Sequence, residues 1–464
     1  MKARRNLIQI WLVLLALSTL NLQPTAVFAQ PVTQIAGGFY QSLFLKSDGS
    51  LWAMGNNNYG QLGDGTNINT NRPELIVSGN VTAIAAGFYH SLFLKSDGSL
   101  WAMGWNSYGQ LGDGTYNSTN RPEQIVASNV TAIAAGGYHS LFLKSDGSLW
   151  AMGNNSYGQL GDGTYNSTNL PEQIVASNVT AIATGITHDL FLKSDGSLWA
   201  MGYNGDGELG DGTYTALLGG GTNLPEQIVA SNVTAIAAGG GFITGAGPCG
   251  HSLFLKSDGS LWAMGDNGFG ELGDGSTDNG NYKTNLPEQI VASNVMAIAT
   301  GFGHSMFLKR DGSLWVMGWN RYAQLGDGTY NSTNKPEQIV ASGVTVIATG
   351  YDHSLFLKND GSLWGMGYGV AIGDGTSNYT NRPEQIVVNP SYNQITGQLM
   401  GSTKMQLTFY GNANAKYALE RSASLSPPNW IPQATNAAGS FGVLLFTNMP
   451  DATTNNFWRI RSVP

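Results

Sequence analysis

The chain has 464 residues, of which 11% are charged and 63 are glycine, and its formal net charge is −8. So few basic residues exclude the positive surface that nucleic-acid binding requires, and no nucleic-acid partner is expected. The glycine content excludes a fold of long helices, and the single cysteine, Cys249, excludes an intramolecular disulfide.

Residues 1–29 have the pattern of a secretory signal peptide. A basic start precedes a mostly apolar stretch over residues 7–20, and Val27 and Ala29 form a small-residue cleavage pattern before Gln30. The stretch is short for a membrane-spanning helix, and an uncleaved anchor stays as the alternative. We therefore expect an exported protein, secreted or held in the cell envelope, with no membrane insertion after cleavage.

A segment close to GHSLFLKSDGSLWAMG then occurs seven times. The tryptophans that mark it are 49, 49, 49, 63, 53 and 49 residues apart: Trp52, Trp101, Trp150, Trp199, Trp262, Trp315 and Trp364. A fixed period of this size indicates one supersecondary unit repeated along the chain. Residues present in every copy are expected to serve the fold, and departures from the repeat are where a specific function could lie.

Each copy contains four short apolar runs. In the third copy, residues 130–175, they are VTAIA, HSLFL, SLWAMG and PEQIV. KSDG at residues 144–147 predicts a tight hairpin, and residues 157–164 form a glycine-rich bend. Four strands per repeat predict an all-β, seven-bladed β-propeller over residues 30–388.

The ends of the repeat region suggest how the ring closes. The repeats begin with VTQIAGG and end with PEQIVV, so one end lacks a PEQIV run and the other lacks a VTAIA run. We expect the N-terminal and C-terminal half-units to pair, which completes the seventh unit and removes exposed sheet edges.

Residues 389–464 lack the repeat. Strands are predicted at residues 404–410, 416–422, 441–446 and 457–462, with Pro427, Pro428, Pro432 and Pro450 between them. This composition predicts a small, β-sandwich-like C-terminal domain.

The pattern G-x-x-H-S-L-x-L-x-x-D-G-x-L-W-x-x-G, followed by N-x-x-G-Q-L-G-D-G and P-x-x-I, resembles the regulator of chromosome condensation repeat. The resemblance covers roughly residues 32–388 and implies a seven-bladed propeller. Secreted bacterial members of this family include an inhibitor of β-lactamases that binds through loops of a propeller face. The fold itself carries unrelated activities, so function must be argued from the departures.

The histidines share one position of the repeat, where the first copy has Gln41. Zinc–ligand bonds are only about 2 Å long, whereas equivalent positions in different blades are spread around the axis, so no metal site is expected. The residues predicted to be structural are the seven tryptophans above and His90, His139, His188, His251, His304 and His353. No catalytic set stands apart from the repeat, which predicts a non-enzyme without a cofactor.

Three segments lengthen the repeat. Residues 214–222 add five residues, residues 240–250 add nine, and residues 276–284 add four. The first and third interrupt the same loop of neighbouring units and should share one face. Loops on a rigid scaffold often bind partners, although neutral drift in a tolerant loop is the alternative.

Large side chains also occur at positions that vary among the copies. Such residues favour protein or glycan contact, while packing between blades is the alternative for the tryptophans. The candidate partner-binding residues are Trp105, Tyr116, Tyr165, Tyr214, Leu217, Leu218, Tyr282, Trp319 and Tyr330.

Together these features predict a monomeric, exported, non-catalytic scaffold that binds a protein or a surface glycan, inhibition of an extracellular enzyme being one form of that role. The family also implies a second hypothesis, nucleotide exchange on a small GTPase. Its founding member uses an inserted β-wedge, and the sequence shows no recognisable wedge. A structural surface protein is the third hypothesis.

Overall fold

The computed structural model describes residues 30–215, 221–243, 247–277 and 284–387, and six strands between residues 395 and 463. Within these residues every element is a β-strand except one helix of four residues, α1 (Gly369–Ile372). No helix in the described part of the chain is both long and apolar enough to cross a membrane.

Seven consecutive four-stranded antiparallel sheets form the blades of a propeller, numbered here in chain order. Blade 1 contains β1 (Val32–Gly37), β2 (Gln41–Lys46), β3 (Leu51–Gly55) and β4 (Thr70–Val77). Blade 2 contains β5 (Val81–Ala86), β6 (His90–Lys95), β7 (Leu100–Gly104) and β8 (Thr119–Val126). Blade 3 contains β9 (Val130–Ala135), β10 (His139–Lys144), β11 (Leu149–Gly153) and β12 (Thr168–Val175).

The remaining blades repeat this order. Blade 4 contains β13 (Val179–Thr184), β14 (His188–Lys193), β15 (Leu198–Tyr203) and β16 (Gly221–Val229). Blade 5 contains β17 (Val233–Ile243), β18 (Gly247–Lys256), β19 (Leu261–Gly265) and β20 (Thr284–Val291). Blade 6 contains β21 (Val295–Thr300), β22 (His304–Lys309), β23 (Leu314–Gly318) and β24 (Thr333–Val340). Blade 7 contains β25 (Val344–Thr349), β26 (His353–Lys358), β27 (Leu363–Tyr368) and β28 (Tyr379–Val387).

The four apolar runs of each repeat are therefore the four strands of one blade. The first strands of neighbouring blades contact one another around the whole ring, so they are innermost, and the fourth strands lie at the outer edge. The fourth strand begins before its proline, as in β12, where Pro171 lies inside the strand. An outer edge strand tolerates proline because its outward N–H has no partner to lose.

Turn chemistry defines the two faces of the ring. The hairpin between β10 and β11 is closed by the Gly147 N–H donating to the Lys144 carbonyl at 2.9 Å, with Gly147 at φ +76°. Such hairpins and the links between blades lie on one side, here the lower face. The links from first to second strand and the loops from third to fourth strand lie on the other side, here the upper face.

The core lies between blades. In one such layer, Leu92 and Leu100 of blade 2 pack against Phe142 and Met152 of blade 3, and all four side chains are buried. Equivalent layers occur at every junction, because the repeat places the same apolar residues on the two faces of each sheet.

The ring closes in a different way from the one expected from the sequence. Each blade consists of four consecutive strands, and no described sheet combines strands from the two ends of the repeat region. The repeat boundary coincides with the blade boundary, so no half-units are left to pair. Blade 7 instead packs side chains against blade 1: Val32, Phe44 and Met54 share a buried cluster with Leu355 and Leu363.

The C-terminal region contains two three-stranded antiparallel sheets. Their strands are β29 (Ile395–Met400), β30 (Lys404–Tyr410) and β33 (Val443–Asn448), and β32 (Ile431–Ala437), β31 (Lys416–Ser422) and β34 (Phe457–Val463). Strands β29 and β32 were not predicted from the sequence. Pro432 was expected between strands, whereas this proline lies within the edge strand β32, where a missing N–H is tolerated.

Candidate functional site

The histidines connect neighbouring blades. In five of them the imidazole Nε2 lies 2.8–3.0 Å from a serine Oγ of the next blade. The hydroxyls of Ser42 and Ser140 donate to backbone carbonyls, so Nε2–H is the donor to Oγ. Burial lowers the pKa of each of these five histidines to about 3, which keeps the imidazole neutral.

Two junctions depart from this arrangement. His139 Nε2 lies 2.8 Å from Oδ1 of Asp189, which replaces the serine, and both side chains are fully buried. In blade 1, Gln41 Nε2 donates to the Gly87 carbonyl at 2.7 Å. The histidines thus act one at each junction, and no group of His, Cys, Asp and Glu among the described residues has metal-binding geometry.

The repeat tryptophans stabilise the lower hairpins. Trp150 Nε1 donates to Ser148 Oγ at 2.9 Å, and Lys144 Nζ lies 3.7 Å above the centre of the indole. The same lysine contact occurs in all seven blades. Sevenfold repetition assigns these groups to the fold and leaves the departures from the repeat as candidates for binding.

The three insertions lengthen upper-face connections of blades 4 and 5. Two lengthen the loops after β15 and β19, and the candidates in them, Leu217, Leu218 and Tyr282, lie outside the described residues. The remaining insertion, within residues 240–250, extends β17 and β18 as a hairpin. Its residue pairs run from Gly240 opposite Gly250 to Ile243 opposite Gly247. The sequence indicated a lengthened loop and no wedge-like insert. In the structure, antiparallel pairing between β17 and β18 continues through these residues.

Two glutamates replace the repeat glutamine in the same two blades. In four other blades this glutamine accepts a backbone N–H through Oε1 at 3.0–3.1 Å, at Gln61, Gln110, Gln159 and Gln324. Glu208 and Glu271 accept the equivalent bond through Oε2, at 2.8 Å, from the N–H groups of Asp206 and Phe269. The substitution therefore keeps the loop in place and adds acidic groups.

These glutamates, with Asp206 and Asp266, form a buried acidic cluster beneath the hairpin. Burial raises the pKa of Glu208 and Glu271 well above the usual range; the next contribution comes from Asp206 for Glu208 and from Asp266 for Glu271. Burial also raises the pKa of the Cys249 thiol, with Asp266 as the second cause. The sequence contains a signal for this cluster, which is Glu in the place of the repeat Gln.

The rest of the upper face carries aromatic side chains around the mouth of the central channel. Phe39 lies 4.7 Å from Phe88 and 4.2 Å from Tyr351, and Phe302 stacks on Tyr351 at 4.3 Å, measured between ring centres. We call this set, on blades 6, 7, 1, 2 and 3, the aromatic collar; it comprises Phe39, Phe88, Tyr89, Trp105, Tyr138, Phe302, Trp319 and Tyr351. Most of its members occupy the variable positions just before each repeat histidine.

The predicted tryptophans belong to this collar. Trp105 of blade 2 lies 5.2 Å from Tyr138 of blade 3, and Trp319 of blade 6 stacks at 4.9 Å on Phe269 of blade 5, with both indoles partly exposed. Each tryptophan therefore packs between two blades, and part of its ring is still exposed and open to a partner. The predicted tyrosines lie farther out, exposed at the outer rim of the upper face: Tyr116, Tyr165, Tyr214 and Tyr330.

Models of known protein families match most of the propeller sequence. A model described as the RCC1-like domain matches residues 15–245, and models of the regulator of chromosome condensation (RCC1) repeat match residues 258–308 and 311–357, and 233–271 and 295–324. The chain belongs to the regulator of chromosome condensation repeat superfamily. Its seven-bladed propeller fold, predicted from the sequence, is confirmed.

Solved structures agree on the fold. Human WBSCR16 is 23% identical with a TM-score of 0.60, and the match covers 70% of this chain and 85% of that one. Prp20p from Saccharomyces cerevisiae is 22% identical with a TM-score of 0.63, and the match covers 79% of this chain and 89% of that one.

Curated relatives match over a short segment. The Protein RCC2 homolog of Danio rerio is 36% identical over 84 residues, which is 18% of this chain and 17% of that protein. The X-linked retinitis pigmentosa GTPase regulator homolog of Caenorhabditis elegans is 38% identical over 84 residues, which is 18% of this chain and 6% of that protein. This family is generally regulatory rather than catalytic, so the propeller has the architecture of a protein-interaction or GTPase-regulating scaffold.

Proposed function

We propose that this protein is an exported, non-catalytic scaffold that binds a protein partner through the upper face of its propeller. The observation that carries the proposal is the concentration of departures from the repeat on that face. Both Gln-to-Glu replacements and the aromatic collar lie there, and the three insertions lengthen connections of that face. The lower hairpins, by contrast, keep nearly the same sequence in every blade.

The chemistry of this face suits a protein partner. Partly exposed tryptophan and tyrosine rings offer large contact areas at low entropic cost and are enriched among energetically dominant interface residues. The hairpin of blade 5 lies beside the collar, with Gly241 against the Phe302 ring. It gives one side of an otherwise regular ring a distinct shape. The export pattern of residues 1–29 supports a partner outside the cytoplasm, and blocking an extracellular enzyme is one form that such binding would take.

The test is affinity capture with the mature chain, residues 30–464, from extracellular and envelope extracts. One bait variant lacks residues 241–249, which restores the regular repeat length, and another carries Trp105→Asn, because Asn56 and Asn154 occupy that position in blades 1 and 3. The matched control is Arg310→Ser, which restores the KSDG sequence of a lower hairpin. We expect a protein that the control retains and that both upper-face variants lose; equal capture by all baits would contradict the proposal.

Nucleotide exchange on a small GTPase is the second candidate. The blade 5 hairpin favours it, because it removes the argument that this chain has no wedge-like insert. Prp20p is described with binding to Gsp1p and histones, so Gsp1p loaded with fluorescent GDP is a suitable probe. Faster GDP release with the wild-type chain, lost on deletion of residues 241–249, would favour exchange over plain binding. A chain that neither captures a protein nor releases GDP would instead fit a structural surface protein.

A further inference from the structure

The outer rim of the upper face differs between the two halves of the ring. One position near the start of each fourth strand covers the glycine of the GDG bend in the preceding blade. Blades 1, 2, 6 and 7 have Arg72, Arg121, Lys335 and Arg382 there, whereas blades 3, 4 and 5 have Leu170, Leu224 and Leu286. Arginine and leucine make the same contact: Arg121 lies against Gly65 and Leu170 against Gly114. The fold therefore accepts either residue, and the choice is free to serve surface chemistry.

Each of these leucines is accompanied by a tyrosine that flanks the same bend. Tyr116, Tyr165 and Tyr214 follow the GDGT bends covered by Leu170, Leu224 and Leu286, respectively. All six side chains are exposed, by 47% to 58%. We call this row, which crosses three consecutive blade junctions, the Tyr–Leu rim. Exposed apolar groups that are clustered on neighbouring blades mark an interaction site more often than scattered single residues do.

Charge distinguishes the Tyr–Leu rim from the rest of the edge. An exposed glutamate follows two residues after each leucine, at Glu172, Glu226 and Glu288. In the other four blades the equivalent glutamate has a basic residue two positions before it, so those charges offset each other. The described basic residues of blades 3 to 5 lie over tryptophan rings of the lower hairpins, at Lys144, Lys193 and Lys256. Among the described residues, the rim is therefore an apolar row bordered by carboxylates that have no basic residue two positions before them.

We infer that the Tyr–Leu rim docks a polypeptide segment that presents apolar side chains flanked by lysine or arginine. The apolar side chains of such a segment would pack between the leucines and tyrosines, while its cations would face Glu172, Glu226 and Glu288. The inference rests on the proposed scaffold function and names the chemistry of its partner. It separates Tyr330 from the other predicted tyrosines, since Arg382 covers the bend beside it.

The probe is a synthetic peptide of alternating leucine and lysine, titrated against the mature chain by fluorescence anisotropy at physiological ionic strength. Peptides with glutamate for lysine, or serine for leucine, are the peptide controls. Two protein variants change Leu170, Leu224 and Leu286 together: Leu→Arg, which copies the other blades, and Leu→Ser, which leaves the charge unchanged. We expect both variants to weaken binding of the leucine–lysine peptide at least about tenfold, the loss typical of removing interface anchors, with unchanged circular dichroism.

Equal affinity of the wild-type chain for the lysine and glutamate peptides would overturn the inference, as would unchanged affinity of the Leu→Ser variant. Self-association of the wild-type chain in sedimentation, lost in the Leu→Ser variant, would also overturn it by identifying a second copy as the occupant. A partner captured equally by the wild type and the Leu→Ser variant would refute the rim and leave the scaffold function standing. If the wild-type chain captures no partner at all, the scaffold proposal itself fails.

Discussion

His353→Gln should make the protein less sensitive to acid. His353 joins blade 7 to blade 1 through Ser42 Oγ at 2.8 Å, and burial lowers its pKa from 6.5 to about 3. Below pH 6.5 the unfolded chain binds a proton at this residue that the native state does not bind. The contribution of His353 to the free energy of unfolding is therefore complete above pH 6.5 and is lost as pH falls. Relative to pH 7.5, this linkage costs about 2 kcal/mol at pH 5. Urea unfolding of wild type and variant at both pH values measures it: the variant should lose about 2 kcal/mol less on acidification.

The first blade supplies the matched control. Gln41 occupies the histidine position there and bonds across the junction to the Gly87 carbonyl. Gln41→His should therefore add the same acid sensitivity, about 2 kcal/mol between pH 7.5 and pH 5. Parallel stability-against-pH curves for the wild type and both variants would refute the idea that burial keeps these imidazoles neutral.

Three further outcomes follow from the repeat. Gly153→Ala should cost about 2–4 kcal/mol in urea unfolding, because Gly153 has φ +111° and a Cβ there would lie 2.6 Å from the Tyr138 carbonyl oxygen. Lys144→Met keeps the aliphatic stem but removes the charge over Trp150, and should cost about 0.5–1 kcal/mol in the same assay. Cys249, buried and with its pKa raised by burial, should stay unreactive towards a thiol-specific chromogenic disulfide until the chain unfolds; rapid labelling of the native protein would contradict its placement.

The sequence was sufficient for the blades because each structural role recurs seven times. A K-x-D-G turn, the tryptophan and the apolar runs appear in every copy, so strand identity follows from local chemistry alone. The mode of closure could not be predicted in that way. It depends on where the blade boundary falls within a periodic sequence, and a period has no intrinsic starting point. Contacts between the two ends locate the junction, through the packing of Val32 and Phe44 against Leu355 and the bond between His353 and Ser42.

The candidate site was predicted only in part, because exposure and proximity are properties of the ring rather than of the repeat. Trp105 and Tyr138 belong to different copies, and nothing in a single repeat shows that their rings lie 5.2 Å apart. The hairpin of blade 5 was also missed, since its glycine-rich sequence lacks the alternation that identifies strands. The acidic cluster could have been found by comparing Glu208 with glutamine in the other copies.

That comparison explains how a specific site can be built without breaking the ring. In blade 3 the amide of Gln159 both accepts a backbone N–H and donates from Nε2 to Asn154 Oδ1 at 2.9 Å. A carboxyl in the equivalent position keeps the accepting oxygen but can donate only when it carries a proton, and burial raises the pKa of Glu208 and Glu271, which favours the protonated form. A raised carboxyl pKa stabilises the native state at lower pH, and this contribution is lost as pH rises through the folded-state pKa. The two glutamates therefore keep the accepting role of the repeat glutamine, and a cationic group placed against them would favour their ionised form.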